Sequence, residues 1–164
     1  MLENALSAMT DPLDSLVSFQ QAFDDRELQR QRGEIDRKLF VHADRPQGEV
    51  RLSYAYVHRK TITALAIAVR TEPIEGIPCF QLGVAVPEAH RGQGRAKLIV
   101  EAAIAEMKNG LARNGIRVFY VEAIVGAHNA PSQRVAAATI SDAPKEVTDQ
   151  FSGLPAYQYL RKVT

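Results

Sequence analysis

Arg91-Gly92-Gln93-Gly94-Arg95-Ala96 is the stretch whose residue types and spacing best suit chemistry. Gly92 and Gly94 let a backbone turn tightly and approach a ligand without Cβ interference. A helix beginning just after them would present bare N–H groups at its positive end, an arrangement that binds a phosphate or pyrophosphate. Arg91, Arg95 and Lys97 add positive charge at the same place. Two familiar phosphate loops do not fit. The P-loop needs Lys-Ser/Thr after its last glycine, and Gly94 is followed by Arg95-Ala96. The dinucleotide fingerprint needs a third glycine where Lys97 stands.

The elements around this loop are readable. Val84 and Val86 are strand formers, and Pro87 ends the ladder because it has no N–H to donate. After the loop, Leu98, Ile99, Ala102, Ala103, Glu106 and Met107 recur at helical spacing. The helix over Arg95–Lys108 is expected to stop near Asn109-Gly110, with a second break at Asn114-Gly115. Ile116–Val125 is nearly all apolar, as a buried parallel strand is. Strand Cys79–Val86, helix and strand Ile116–Val125 thus make a βαβ crossover, right-handed by default. Gly83 inside the first of these strands predicts a bulge or a close backbone approach.

Strand end, a loop that matches Gln/Arg-x-x-Gly-x-Gly/Ala at Arg91, Gly94 and Ala96, and amphipathic helix together resemble motif A of the GCN5-related N-acetyltransferases, the GNAT superfamily. The resemblance covers about residues 50–139. It implies an α/β fold with a mixed, mostly antiparallel central sheet, splayed at its middle, and helices on both faces. It also implies acyl transfer, most simply acetyl, from acetyl-CoA to an amine. Arg91, Gly92, Gln93, Gly94, Arg95 and Ala96 would hold the pyrophosphate. Gly83, Val84, Ala85 and Val86 would line the pantetheine arm. Asn129, at a helix start resembling the family's Asn-x-x-Ala/Ser, would bond that arm, with Ser132 in the first turn.

Glu122 interrupts the apolar strand. A carboxylate there is partnered or functional. The resemblance makes it the base that takes the amine proton, directly or through water, while a structural glutamate bonded to backbone or arginine stays open. Many relatives carry a tyrosine on the next helix to protonate the departing thiolate. Here that helix reads Val135-Ala136-Ala137-Ala138-Thr139, without one. Tyr157 and Tyr159 on the last strand are candidates for the general acid by chemistry alone. Two other readings therefore stay open: a non-catalytic acyl-CoA-binding or regulatory protein, and an interaction domain that keeps only the fold.

The whole chain sets the limits. Its 164 residues fit one domain with a real core, which the resemblance would make a single acyltransferase domain. With 46% hydrophobic and 24% charged residues the composition is that of a globular protein. A net charge of +1 argues against nucleic-acid or membrane-surface binding by bulk electrostatics. The lone cysteine, Cys79, lies in an apolar run and reads as a buried hydrophobe rather than a nucleophile. His90 and His128 flank the loop, but the four histidines have no metal-ligand spacing, so no metal is expected. No basic-then-apolar leader and no membrane-length run is seen, so a cytoplasmic protein is expected. The acceptor amine is not readable, and a homodimer is left open.

Residues 1–38 are the least readable. Met1–Thr10 is a loose lead-in. Asp11-Pro12 starts a helix in which Leu13, Leu16, Val17, Gln20 and Phe23 share a face. The charge-dense run Asp24–Lys38 reads as a solvated helix face broken near Gly33; the resemblance puts this region on the acceptor side. Leu39–Ala43, Val50–Val57 and Thr61–Val69 are strands of an antiparallel meander, with a turn at Arg45–Gly48 and a loop over Thr71–Pro78. A charged segment over Lys145–Gln150 and a terminal strand over Ala156–Val163 close the chain.

Overall fold

The structure, a computed structural model, describes residues 12–28 and 31–164. The expected lead-in Met1–Thr10 lies outside the described residues. Among them are three α-helices and eight strands, and the strands form one mixed sheet. Their order is α1 (Pro12–Asp24), β1 (Gln31–Arg32), β2 (Leu39–Asp44), β3 (Arg51–His58), β4 (Thr61–Ile74), β5 (Ile77–Ala85), α2 (Arg95–Arg113), β6 (Phe119–Gly126), α3 (Ala130–Thr139), β7 (Lys145–Thr148) and β8 (Pro155–Val163). Across the sheet the strands run β1-β2-β3-β4-β5-β6-β8-β7. Only β5 and β6 are parallel. The pleat sends alternate residues to opposite faces. Phe80, Phe119, Val121 and Tyr159 join Ile99, Val100, Ala103 and Met107 of α2 in the larger core. Phe80 and Phe119 meet edge-to-face at 6.0 Å. On the other face Leu16 and Phe23 of α1 pack with Ala55, Leu65, Ile67 and Ala85. Gln20 fastens α1 to the β3–β4 turn, donating to Lys60 O at 3.0 Å and accepting from Ile62 N–H at 2.8 Å. No described helix is long and apolar enough to cross a membrane.

Three local expectations are corrected, and one segment of unassigned structure is resolved. Among the described residues the charged run is not a helix beyond Asp24; Gln31–Arg32 pair with β2, and residues 33–38 form an irregular loop. Thr71–Pro78 is not a loop. β4 continues to Ile74, a two-residue turn at Glu75-Gly76 (φ +51° and +80°) reverses the chain, and β5 starts at Ile77. Such a turn matches strand twist. Pro73 and Pro78 are tolerated because the ladder is irregular between Thr71 and Ile74. α2 does not stop at Asn109-Gly110 but runs to Arg113, with Gly115 at φ +85° beyond its end. Part of the segment Lys145–Gln150 is the edge strand β7.

The β1–β2 loop is held by a buried carboxylate of α2. Glu106 is only 7% exposed. Its carboxylate accepts the N–H groups of Glu34 (3.0 Å), Ile35 (2.6 Å) and Asp36 (2.8 Å). This pins the β1–β2 loop onto α2. Tyr56 OH donates to Asp36 Oδ2 at 2.5 Å and braces the same loop from β3.

Candidate active site

β5 ends at Ala85, and a single 3-10 turn, Glu88–His90, turns the chain toward α2. His90 N–H donates to Pro87 O and Arg91 N–H to Glu88 O. Gly92 and Gly94 follow at φ +75° and +74°, the left-handed region that glycine enters without strain. A Cβ added at either would meet nothing within 4 Å. Glycine here serves the backbone conformation and leaves open space above the loop. Gly94 is the N-cap of α2 and offers no side chain to it. The first helical bond is Leu98 N–H to Gly94 O at 3.1 Å. The N–H groups of Arg95, Ala96 and Lys97 therefore have no intrahelical acceptor.

The two arginines of the loop are tied in place. Arg91 Nε donates to Val86 O at 2.9 Å. Arg95 Nε donates to Gln93 Oε1 at 3.0 Å, and its Nη1 to Thr63 Oγ1 at 3.3 Å. Arg91, Gln93 and Lys97 are exposed. Exposed N–H groups, the helix dipole and three cations make this end of α2 suited to an anion.

Beside the loop the sheet opens. β5 and β6 pair only at Cys79–Tyr120, Phe80–Val121 and Gln81–Glu122. Beyond that point Leu82–Ala85 pair only with β4, and Ala123–Gly126 only with β8. The expected splay is present. Of the bulge or close backbone approach expected at Gly83, a bulge against β4 is not present: Gly83 sits opposite Ile67 in a ladder regular from Leu65–Ala85 to Thr71–Cys79. Gly83, Val84 and Val86 are half-buried and Ala85 is buried, lining the β5 side of the gap.

Glu122 belongs to the last pair before the strands part. Its carboxylate accepts Gln158 Nε2 at 2.6 Å. It lies on the α1 face with Gln81 and Leu160, its partners in register. Tyr157 and Tyr159 pair with Val125 and Ala123, on the opposite face. Tyr159 is buried in the α2-side core, and burial, with Tyr157 nearby, raises its pKa. Tyr157 is half-buried against that core. The structure therefore does not bring Glu122 and Tyr157 together on one face. Cys79 is 1% exposed, and burial, with the Glu122 charge adding to it, pushes its thiol up to about 12.

Because β5 and β6 are parallel, their following loops lie at one end of the sheet. Asn129 and Ser132 are thus on the same end as residues 91–96. Asn129 Oδ1 accepts Ser132 N–H at 3.2 Å and caps α3, as its position predicts. Both are exposed, as is His128, whereas His90 is half-buried. Gln133 Nε2 closes this loop, donating to Gly126 O (2.9 Å) and Ala127 O (3.0 Å). An open cleft of about 450 Å³ lies alongside, lined by His128, Asn129, Pro131, Asp149 and Leu154. Sequence reasoning missed Thr63, Gln133 and Gln158. A glutamine standing between the two candidate tyrosines on one strand was the available signal for the last; the other two had none.

No protein-family model matches the sequence, and no curated protein matches it. Solved structures do match the fold. An acetyltransferase of the GNAT family from Streptococcus pneumoniae superposes with a TM-score of 0.51 at 12% identity, over 71% of this chain and 67% of that one. A spermidine N-acetyltransferase SpeG chimera from Vibrio cholerae and hSSAT gives 0.55 at 10% identity, over 68% and 69%. RimL, a ribosomal L7/L12 alpha-N-protein acetyltransferase in complex with coenzyme A, gives 0.51 at 18% identity, over 69% of this chain and 62% of that one. At these identities the likeness is one of architecture: the chain has the fold of the GNAT-family acetyltransferases.

Proposed function

We propose that this protein is an acyl-CoA-dependent N-acyltransferase that moves an acetyl group from acetyl-CoA to an amine. The observation that carries this reading is the open glycine loop at the head of α2, set beside the gap between β5 and β6. The loop Arg91–Ala96 would take the pyrophosphate through N–H groups and cations. Backbone groups of Gly83, Val84, Ala85 and Val86 would pair with the pantetheine amides. One of their N–H groups would stabilise the developing oxyanion, the kind of term that dominates acyl transfer. Asn129 and Ser132 would flank the arm from the β6 side. The amine nitrogen attacks the thioester carbonyl and Glu122 takes its proton, directly or through water. The C–S bond then breaks, and the thiolate leaves with a proton from Tyr157 or from water. Cys79 is buried and its thiol is held protonated, which supports direct transfer within one ternary complex.

The named structural neighbours act on spermidine and on ribosomal protein L7/L12, which supports an amine acceptor without choosing one. A second reading, acyl-CoA binding without turnover, is favoured by one observation: Glu122 and Tyr157 stand on opposite faces.

Calorimetry with acetyl-CoA tests the proposal. The wild type should bind, and Gly94→Trp should not, since its indole would occupy the open space above the loop. A folded wild type that does not bind overturns the reading. Release of CoA across a panel of amines then separates the two readings. With the right amine, Glu122→Gln should lower kcat by about 10²-fold or more. No release with any amine would favour the binding-only reading.

A further inference from the structure

The β3–β4 ladder contains one extra residue. Register runs from Arg51–Val69 to Tyr56–Ala64, and then Val57 pairs with Ile62. Thr63 is the residue left over. A bulge of this kind re-aims a side chain. Without it, Thr63 would pair with Val57 and face α1. With it, Ile62 takes that place in the α1-side core, and the Thr63 hydroxyl reaches the head of α2 instead. Thr63 is 2% exposed. Its Oγ1 donates to Tyr56 O at 3.4 Å and accepts from Arg95 Nη1 at 3.3 Å.

A guanidinium has five N–H donors. Arg95 directs one to Thr63 and one to Gln93, which leaves three for a ligand. We propose that Thr63 is a positioning residue for the anion loop: its bulge-aimed hydroxyl holds Arg95 with its unused N–H groups toward the diphosphate of the acyl-CoA. This rests on the acyl-CoA reading given above. A first-turn arginine free in solvent loses much rotamer freedom when it grips a phosphate, and one already held loses less. Thr63 itself need not touch the ligand.

The test is a double-mutant cycle read by acetyl-CoA calorimetry. Thr63→Val keeps the shape and removes the hydroxyl; it should weaken binding about fivefold. Thr63→Ser restores the hydroxyl and should bind within about twofold of the wild type. In the Arg95→Ala background, Thr63→Val should have no further effect, because its partner is gone. A merely structural threonine would cost the same in both backgrounds. Wild-type affinity in Thr63→Val, or an undiminished loss beside Arg95→Ala, overturns the proposal. If Thr63→Val does not fold, Thr63→Ala carries the same cycle. Should the wild type itself fail to bind acetyl-CoA, the acyl-CoA reading falls and takes this one with it; failure of the cycle alone leaves that reading standing.

Discussion

Helix α2 carries two backbone cradles, about 18 Å apart at 1.5 Å per residue. One is built at its head by Gly92 and Gly94. The other is the Glu34–Asp36 turn pressed against Glu106. Each depends on glycine and each gathers N–H groups. At Glu106 the protein supplies its own carboxylate, and the cradle is full. At the head no side chain caps the helix, and the space above the glycines is open. The glycines differ accordingly. Gly33 has no room: a Cβ there would lie 2.5 Å from Asp36 O and 2.5 Å from Glu106 Oε1. Gly94 has room, and glycine is needed for its φ of +74°. A cradle filled from within holds the fold, and one left open is available for a ligand.

The same substitution should therefore act differently at the two ends. Gly33→Ala should cost about 3 kcal/mol, because the Cβ meets backbone and a fixed carboxylate. Denaturant titration would measure it, and a loss below about 1 kcal/mol would dissolve the distinction. Glu106→Ala leaves three inward N–H groups without their acceptor. It should cost about 2–3 kcal/mol by the same measurement, without changing acetyl-CoA affinity. Gly94→Ala should cost only about 1 kcal/mol for the left-handed conformation, yet weaken acetyl-CoA binding about tenfold. Equal affinity in that variant would break the comparison at its other end.

The smallest effect is on pH. The Tyr56 hydroxyl bonded to Asp36 is the main cause holding that carboxyl below its usual 3.8. Its stabilisation is thus present above pH 3.8 and lost as pH falls through the depressed value. Burial first, and Asp36 second, raises Tyr56 above its usual 10.0, and burial does the same for Tyr54. Their contribution is present below pH 10.0 and declines as pH rises past it. Tyr56→Phe should flatten the acid limb of stability against pH and leave the Tyr54 part of the alkaline limb. An unchanged acid limb would show that Asp36 is held by something other than Tyr56.

The two cradles also differ in what the sequence reveals. The head of α2 is local: strand, proline, two glycines and an amphipathic helix lie within about thirty residues, so the site could be read in order. The filled cradle joins residues 70 to 72 positions apart. Glu106 looks like one more member of the helical stripe, although a glutamate on a buried stripe signals a partner. Charge density over Asp24–Lys38 suggested a helix, because a solvated helix and a pinned loop share that composition. Asn109-Gly110 suggested a stop that packing overrides, since Leu111 still adds to the core. Glu122 was found because it breaks an apolar strand. Its separation from Tyr157 was not, because only strand register assigns residues to faces.

The three residue pairs between β5 and β6 have a mechanical consequence. The ladders on either side are long: eight pairs join β4 to β5 and eight join β6 to β8. The sheet is in effect two stiff leaves, β1–β5 and β6–β8, sharing a short spine at Cys79–Gln81 and Tyr120–Glu122. Rotation about that spine would change the width of the gap without breaking any hydrogen bond within a leaf, and amide exchange that stays slow in both leaves would be its signature.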